Sequence, residues 1–259
     1  MKKIRLGIIG CGGIAHEVAA FVEKELSTYL SIAALYDIDS ARAAELKKNI
    51  QRKTVTVYSS ISQVVEDCDL ILETAVGDIV RELLNLCIRY KKDVILLSIG
   101  GIFSCEDLFA AIKKSGICVY HPSGAIAGVD GVYAASLSNI RKLTLTTSKP
   151  PTGLGTEVDK PEILFEGSPR EAYRRYPRNI NVAATLFLAS NYENMNVVIK
   201  VDPALKRNIH IIELESSIAN MRIELENKPL PSNPKTSALA AASTNALLAK
   251  MFSPIKIGI

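Results

Sequence analysis

A glycine-rich turn near the start of the chain has the spacing of a phosphate-binding loop. Residues 10–15 have the sequence GCGGIA and follow the apolar run Ile4–Ile9. The first glycine of such a turn allows a sharp bend, and the second lets the backbone approach a pyrophosphate at the start of a helix. We predict a dinucleotide site here, and the alternative is an ordinary glycine-rich turn. The predicted cofactor-binding residues of this turn are Gly10, Gly12, Gly13 and Ile14.

An acidic residue follows the second apolar run, where a ribose contact is expected. Asp37 comes directly after the run Ser31–Tyr36. A carboxylate at this position accepts a hydrogen bond from the ribose 2′-hydroxyl of NAD. Asp37 and Asp39 both repel the extra phosphate of NADP, and Arg42 partly offsets that repulsion. We therefore predict NAD as the cofactor, with NADP possible.

Two later apolar runs end in small residues that are placed to border the same cofactor. Ala75 ends one run and Ser98 follows the next, and each is close to a glycine. Ligands of open α/β sheets bind outside the carboxyl ends of the strands. We predict that Ala75 and Ser98 contact the cofactor, although ordinary turns are an equally good interpretation.

One histidine of the second half has a neighbour that suits proton transfer. Asn208 and His210 belong to an apolar run with strand character, so their side chains point to the same face. An imidazole titrates near about pH 6.5 and can act as a general acid or base. The alternative is a histidine that is buried in a strand and satisfied there by a structural hydrogen bond.

The elements that must hold these residues alternate between strand and helix over the first half. This alternation predicts an α/β fold with a Rossmann-type, doubly wound parallel sheet. After about residue 122 a series of strand-like runs predicts a second, mixed α/β domain with an open sheet. We expect a dinucleotide-binding domain over residues 1–122, completed by a C-terminal helix within 236–259, and a second domain over 123–235. Residues 229–234 are expected to form a loop, and Ser40 is expected to cap a helix.

Composition argues against several other classes of protein. The chain has 259 residues and a net charge of +4 that is not gathered into a large basic cluster, so a nucleic-acid-binding role is not expected. No apolar stretch has the length of a transmembrane helix or signal sequence, which indicates a cytoplasmic protein without membrane contact. The 5 cysteines have no metal-ligand spacing, so no metal site is expected.

Several longer motifs resemble the L-aspartate dehydrogenase family, and the resemblance covers nearly the whole chain. Besides the Gly10–Gly12 turn, the motifs in chain order are Ser123–Ile126, Lys149–Pro151, Phe165–Ser168, Pro177–Ala183, Asn208–His210 and Asn233–Ser237. Such a series in the right order is far more specific than a glycine-rich turn alone.

The resemblance implies an activity and assigns residues to it. It implies oxidation of L-aspartate with NAD(P)⁺ to iminosuccinate, which hydrolyses to oxaloacetate and ammonia or serves NAD biosynthesis. It identifies His210 as the catalytic residue and Ala125 and Asn181 as cofactor contacts. It also implies a homodimer whose second domain carries substrate binding, catalysis and dimerisation.

A dicarboxylate substrate requires cations and hydrogen-bond donors. The candidates for substrate binding are Asn208, Lys235, Thr236 and Ser237. His210 could remove a proton from the substrate ammonium or from the water that attacks the imine, and the sequence leaves both steps open. Two other functions also stay open: a related dehydrogenase or reductase of another small dicarboxylate or imine, and a dinucleotide-binding sensor without turnover.

Overall fold

A computed structural model describes residues 2–51, 54–151, 158–177, 180–231 and 233–258, without the side chains of Pro234 and Lys235. The described chain divides into two compact units. One contains the residues up to Pro122 and Ala241–Ile257, and the other contains Ser123–Ala240 and Gly258.

The first unit is built on a parallel sheet. Its strands are β1 (Ile4–Ile9), β2 (Leu30–Tyr36), β3 (Thr56–Val57), β4 (Leu70–Glu73), β5 (Asp93–Leu96) and β6 (Val119–Tyr120). They pair in the order β3-β2-β1-β4-β5-β6, and all neighbours are parallel. The order reverses direction at β1, as in a doubly wound fold. The predicted fold class of this unit is confirmed.

Helices follow the strands of this sheet, with short 3₁₀ turns among the later ones. They are α1 (Gly13–Glu25), α2 (Ser40–Asn49), α3 (Ile61–Asp67), α4 (Val80–Tyr90) and α5 (Phe109–Ser115). The expected cap of α2 was wrong by one residue: Asp39, not Ser40, precedes the helix, and its Oδ1 accepts a hydrogen bond from Ala41 N at 3.0 Å. Asp39 has extended backbone angles, which an N-cap residue needs, whereas Ser40 is already helical.

The second unit contains a mixed sheet. Its strands are β7 (Ile140–Lys149), β8 (Glu162–Gly167), β9 (Asn196–Val201), β10 (Ile209–Ser216) and β11 (Asn220–Glu226). They pair in the order β11-β10-β7-β9-β8, in which only β7 and β9 are parallel. The helices of this unit are α6 (Val129–Ser136), α7 (Pro169–Arg175) and α8 (Asn181–Ser190). This architecture confirms the predicted mixed domain with an open sheet.

The expected loop at residues 229–234 was wrong. A hairpin of β12 (Pro229–Leu230) and β13 (Asn233–Ser237) lies there, and the last helix, α9 (Ala238–Phe252), begins two residues later than Thr236. A pair of isolated strands has only edges, where proline is tolerated. Ser237 ends the hairpin and starts the helix, because its Oγ accepts a hydrogen bond from Leu239 N at 3.2 Å.

The core of the first unit lies between the sheet and its helices. Leu6 and Ile8 of β1, Leu72 of β4 and Ile95 of β5 are fully buried in one cluster. Leu248 of α9 belongs to the same cluster, so the end of the chain packs into this unit. Among the residues that the structure describes, no helix is long and apolar enough to cross a membrane.

The turn after β1 generates a stability prediction. Gly10 has a φ of +89°, and a Cβ atom added there would lie 2.6 Å from Ala75 N. We expect Gly10→Ala to lower the free energy of unfolding by about 1–3 kcal/mol through backbone strain, with the clash adding to it. Urea unfolding measures the change.

Gly77→Ala is the matched control, because its added Cβ would make only ordinary contacts, the shortest being 3.6 Å to Gly101 N. This control should stay within about 0.5 kcal/mol of the wild type. Equal unfolding midpoints for the two variants would show that Gly10 is not required for the turn.

Candidate functional site

The glycine turn joins β1 to the first turn of α1. Gly10 N donates to Tyr36 O at 2.8 Å, which holds the turn against the end of β2. Gly12 is the N-cap residue of α1, and a Cβ atom added there would meet no other atom within 4 Å. Ala15 is fully buried, as close packing of helix and strand requires. The open space over Gly12 at a helix N-terminus fits a pyrophosphate.

The carboxylate of Asp37 lies against this turn. Its Oδ2 accepts a hydrogen bond from Cys11 N at 2.7 Å, and its Oδ1 accepts one from Asp39 N at 2.8 Å. A carboxylate oxygen can accept a second hydrogen bond, so Asp37 can still accept one from a ribose hydroxyl. Burial, and then the charge of Asp37, raise the pKa of the Cys11 thiol to about 12, so this thiol stays protonated.

The neighbouring charges of α2 are arranged around Asp39. Arg42 Nε lies 3.5 Å from Asp39 Oδ2 in an exposed ion pair. The guanidinium that was expected to offset repulsion of a 2′-phosphate is therefore engaged by an acidic neighbour. This arrangement favours NAD over NADP at the ribose end of the turn.

A buried acid that sequence reasoning missed holds the other two cofactor candidates. Glu73, the last residue of β4, is fully buried. Its Oε1 accepts hydrogen bonds from Ala75 N at 2.7 Å and Ser98 Oγ at 2.8 Å, and its Oε2 accepts from Ser98 N at 2.8 Å and Leu97 N at 3.0 Å. Burial raises the pKa of Glu73, and these bonds oppose the shift. The available signal was an acid inside an apolar strand.

His210 belongs to β10, which lies between β11 and β7 in the sheet of the second unit. It is 4% exposed and stands directly opposite Thr147 of β7. Thr147 Oγ1 lies 3.0 Å from His210 Nδ1. Burial lowers the pKa of His210 to about 4, and the charge of Lys149 contributes to this shift. The imidazole is therefore neutral near pH 7, the form that accepts a proton.

Three of the predicted residues meet at another residue that sequence reasoning missed. Asn227 is buried, its Nδ2 donates to Ala125 O at 2.9 Å, and its Oδ1 accepts from Ser237 Oγ at 2.8 Å. Its backbone N–H donates to Asn208 O at 2.9 Å. Asn227 thus connects the turn of Ala125, the hairpin and the strand that leads to His210. The available signal was an amide between the last strand-like run and the expected loop at residues 229–234.

Two of the remaining candidates, Asn181 and Thr236, lie on α8 and β13. Asn181 is the exposed first residue of α8, and its carbonyl accepts a hydrogen bond from Thr185 Oγ1 at 2.8 Å. Thr236 is half-buried in β13. The side chain of Lys235 lies outside the described residues, as do Arg178 and Asn179. Their predicted roles stay predictions.

Metal and disulfide chemistry have no support in the described part of the chain. No group of three or more His, Cys, Asp and Glu side chains there is placed to hold a metal ion. All five cysteines are free thiols, and four of them are buried. The candidate groups of the site are therefore the glycine turn in one unit and a neutral, buried imidazole in the other.

Two family models match the chain, one for each half. Residues 10–122 match the NAD-binding domain of homoserine dehydrogenase, and residues 130–251 match the C-terminal domain of aspartate dehydrogenase. The first unit is accordingly an NAD-binding domain. A scyllo-inositol dehydrogenase from Lactobacillus casei, 13% identical over 96% of this chain and 86% of its own, shares the fold alone, with a TM-score of 0.60.

Closer relatives match over the full length. An L-aspartate dehydrogenase of Methanosarcina mazei is 37% identical over 98% of this chain and 99% of its own. One of Methanothermobacter thermautotrophicus is 34% identical over all of both chains. The crystal structure of aspartate dehydrogenase from Thermotoga maritima is 28% identical, covers 99% of this chain and 100% of its own, and superposes with a TM-score of 0.80. The chain therefore belongs to the aspartate dehydrogenase family.

Proposed function

We propose that the chain oxidises L-aspartate with NAD⁺ to iminosuccinate, which hydrolyses to oxaloacetate and ammonia or serves NAD biosynthesis. The observation that carries this proposal is a neutral, buried His210 in a chain similar to L-aspartate dehydrogenases from end to end. A purely cofactor-sensing protein has no need of such a base. NADP remains a possible second cofactor.

The cofactor would be held mainly by the first unit. The turn residues Gly10, Gly12, Gly13 and Ile14 would receive the pyrophosphate, and Asp37 would bind the ribose. Ala75 and Ser98, held by Glu73, together with Ala125 and Asn181, are the proposed contacts for the rest. Bound NAD⁺ supplies the acceptor for the hydride that leaves the α-carbon of the substrate.

His210 would move the protons of the reaction. If Nδ1 carries the ring hydrogen and donates it to Thr147 Oγ1, the lone pair of Nε2 is left to accept a proton. That proton comes from the substrate ammonium, whose neutral amine is needed for hydride loss, or from the water that attacks the imine. Thr147 would then orient the ring and set its tautomer.

Substrate binding is proposed for Asn208, Lys235, Thr236 and Ser237. The Oγ of Ser237 donates to Asn227 and accepts from the backbone of α9, so its contribution would be to position Ala125 and the hairpin. Asn227 would serve as a positioning residue for the same reason. Lys235 would supply the positive charge that a carboxylate of the substrate requires.

The cellular location and the oligomeric state of the chain are also part of its function. Buried, free thiols are typical of proteins of the reducing cytoplasm. Tyr133, Leu137 and Ile163 of the second unit are exposed apolar side chains that a second subunit could cover. We propose a cytoplasmic homodimer that uses small-molecule substrates.

The first functional prediction concerns the substrate. L-aspartate should reduce NAD⁺, and oxaloacetate with ammonia should oxidise NADH. L-glutamate should be poorer by about 10- to 200-fold in kcat/KM, because one extra methylene displaces a carboxylate. NADH absorbance with a panel of amino acids at alkaline pH measures this. Equal rates with alanine would exclude a dicarboxylate site, and equal rates with glutamate would show that the site does not select the shorter dicarboxylate.

The second prediction concerns Asp37 and the cofactor. Asp37→Ser should shift the ratio of kcat/KM for NAD to that for NADP toward NADP by at least about tenfold, because a repulsive charge is lost. Asp37→Asn is the control for size: it keeps an acceptor near Cys11 N without the charge, and it should shift the ratio in the same direction. An unchanged kcat/KM ratio in both variants would show that Asp37 does not bind the ribose.

The third prediction concerns His210. His210→Asn and His210→Ala should lower kcat by about 10² to 10⁴, the usual contribution of a positioned acid or base. The amide of Asn can still pair with Thr147 Oγ1, so His210→Asn separates lost chemistry from a lost structural bond. NADH binding, followed by fluorescence, should stay near wild type because the glycine turn belongs to the other unit. Wild-type turnover by His210→Asn would make the histidine structural.

A further inference from the structure

A carboxylate is buried in the first unit, where the parallel strands end. Glu73 is the last residue of β4, is 0% exposed, and is the only acid among the buried side chains that the structure describes. Its partners in the neighbouring strands are Ile9 of β1 and Leu96 of β5, which are buried and apolar. Water screens a charge in such surroundings only weakly, so the field of Glu73 extends further than that of an exposed acid.

The contacts of Glu73 are those of an ionised carboxylate. Three of its four hydrogen-bond donors are the backbone N–H groups of Ala75, Leu97 and Ser98, and the fourth is the Ser98 hydroxyl. Burial raises the pKa of Glu73, which favours the protonated form. The bonds act in the opposite direction, because a carboxylate that accepts two or three backbone N–H groups is held in its charged form.

These donors satisfy the carboxylate oxygens without neutralising the charge. All four donors belong to uncharged groups, and no ion pair to Glu73 is present in the described part of the chain. The side chain therefore places a full negative charge at the carboxyl end of β4. An ionised group in a site of low dielectric acts strongly on any charge that is brought close to it.

The end of β4 belongs to the half of the sheet that is expected to hold the nicotinamide. A doubly wound sheet consists of two mononucleotide-binding halves that meet where the strand order reverses. Here they meet between β1 and β4. Asp37, after β2, is the proposed contact of the adenosine ribose, so the strands β4–β6 remain for the nicotinamide half. Ala75 and Ser98, the proposed cofactor contacts of this half, are both bound by Glu73.

We propose that the ionised carboxylate of Glu73 favours binding of NAD⁺ over NADH. The nicotinamide ring is a cation in NAD⁺ and neutral in NADH, while the phosphates are the same in both. A fixed negative charge therefore stabilises the oxidised form and not the reduced one. The inference rests on the proposed function for its consequence: a site that holds NAD⁺ and releases NADH favours the oxidation of L-aspartate.

Equilibrium binding of NAD⁺ and NADH, measured by calorimetry without any amino acid, tests this role. Glu73→Gln should raise the ratio of Kd for NAD⁺ to Kd for NADH about tenfold, the effect of a unit charge at about 10 Å in an effective dielectric of about 20. The amide can keep three of the four contacts: its oxygen accepts from Leu97 N and Ser98 N, and its NH₂ donates to Ser98 Oγ.

Two control variants separate the charge of Glu73 from its effect on local structure. Glu73→Asp keeps the charge but shortens the side chain, so both Kd values should rise together and their ratio should stay within about twofold of the wild type. Glu82→Gln makes the same change as Glu73→Gln at an exposed position of α4, where solvent screens the charge, and should leave the ratio unchanged. An equal rise of both Kd values in Glu73→Gln would overturn the proposal and leave Glu73 a purely structural residue.

Infrared spectroscopy of the wild type gives a second test, which decides the question even if Glu73→Gln does not fold. Because Glu73 is the only buried acid of the described chain, a carbonyl band of a protonated carboxyl group near pH 7 would arise from it. We expect no such band, and its presence would overturn the proposal. Neither measurement needs a substrate. Turnover of L-aspartate with an unchanged Kd ratio would refute the role of Glu73 alone, and a shifted ratio without turnover would refute only the proposed activity.

Discussion

Polar groups that are buried in this fold must find their hydrogen-bond partners inside it, and the proposed sites depend on that constraint. Glu73 shows how it works: four donors from the ends of β4 and β5 converge on one carboxylate. An unpaired buried charge would cost far more than any single bond returns. The loops that start at Ala75 and Ser98 are therefore held at fixed positions, as a preformed cofactor site requires.

The second unit meets the same constraint with neutral groups. Asn227 links Ala125, Asn208 and Ser237 through one buried amide and its backbone N–H. Three segments far apart in sequence are thereby held in one arrangement next to the strand of His210. A buried network of this kind is stabilising only when each member is satisfied, so a change at any of the three segments affects the others.

Sequence patterns were sufficient for the fold and for the dinucleotide turn, because both depend on local periodicity and on glycine at fixed positions. They were not sufficient for residues 229–234, where the pairing of β12 with β13 overrides the turn signals of three prolines. Glu73 and Asn227 were missed for a related reason. Their roles arise from contacts between distant segments, so the type and position of each residue could signal burial but not which groups it would bind.

The electrostatics of the second unit set the protonation state of the proposed base. Burial keeps His210 neutral, so it is ready to accept a proton, but it also disfavours the imidazolium that would form. Lys149 on the same face opposes that charge further. Thr147 Oγ1 lies 3.0 Å from Nδ1 of the ring and would hold it in the tautomer that leaves Nε2 able to accept a proton.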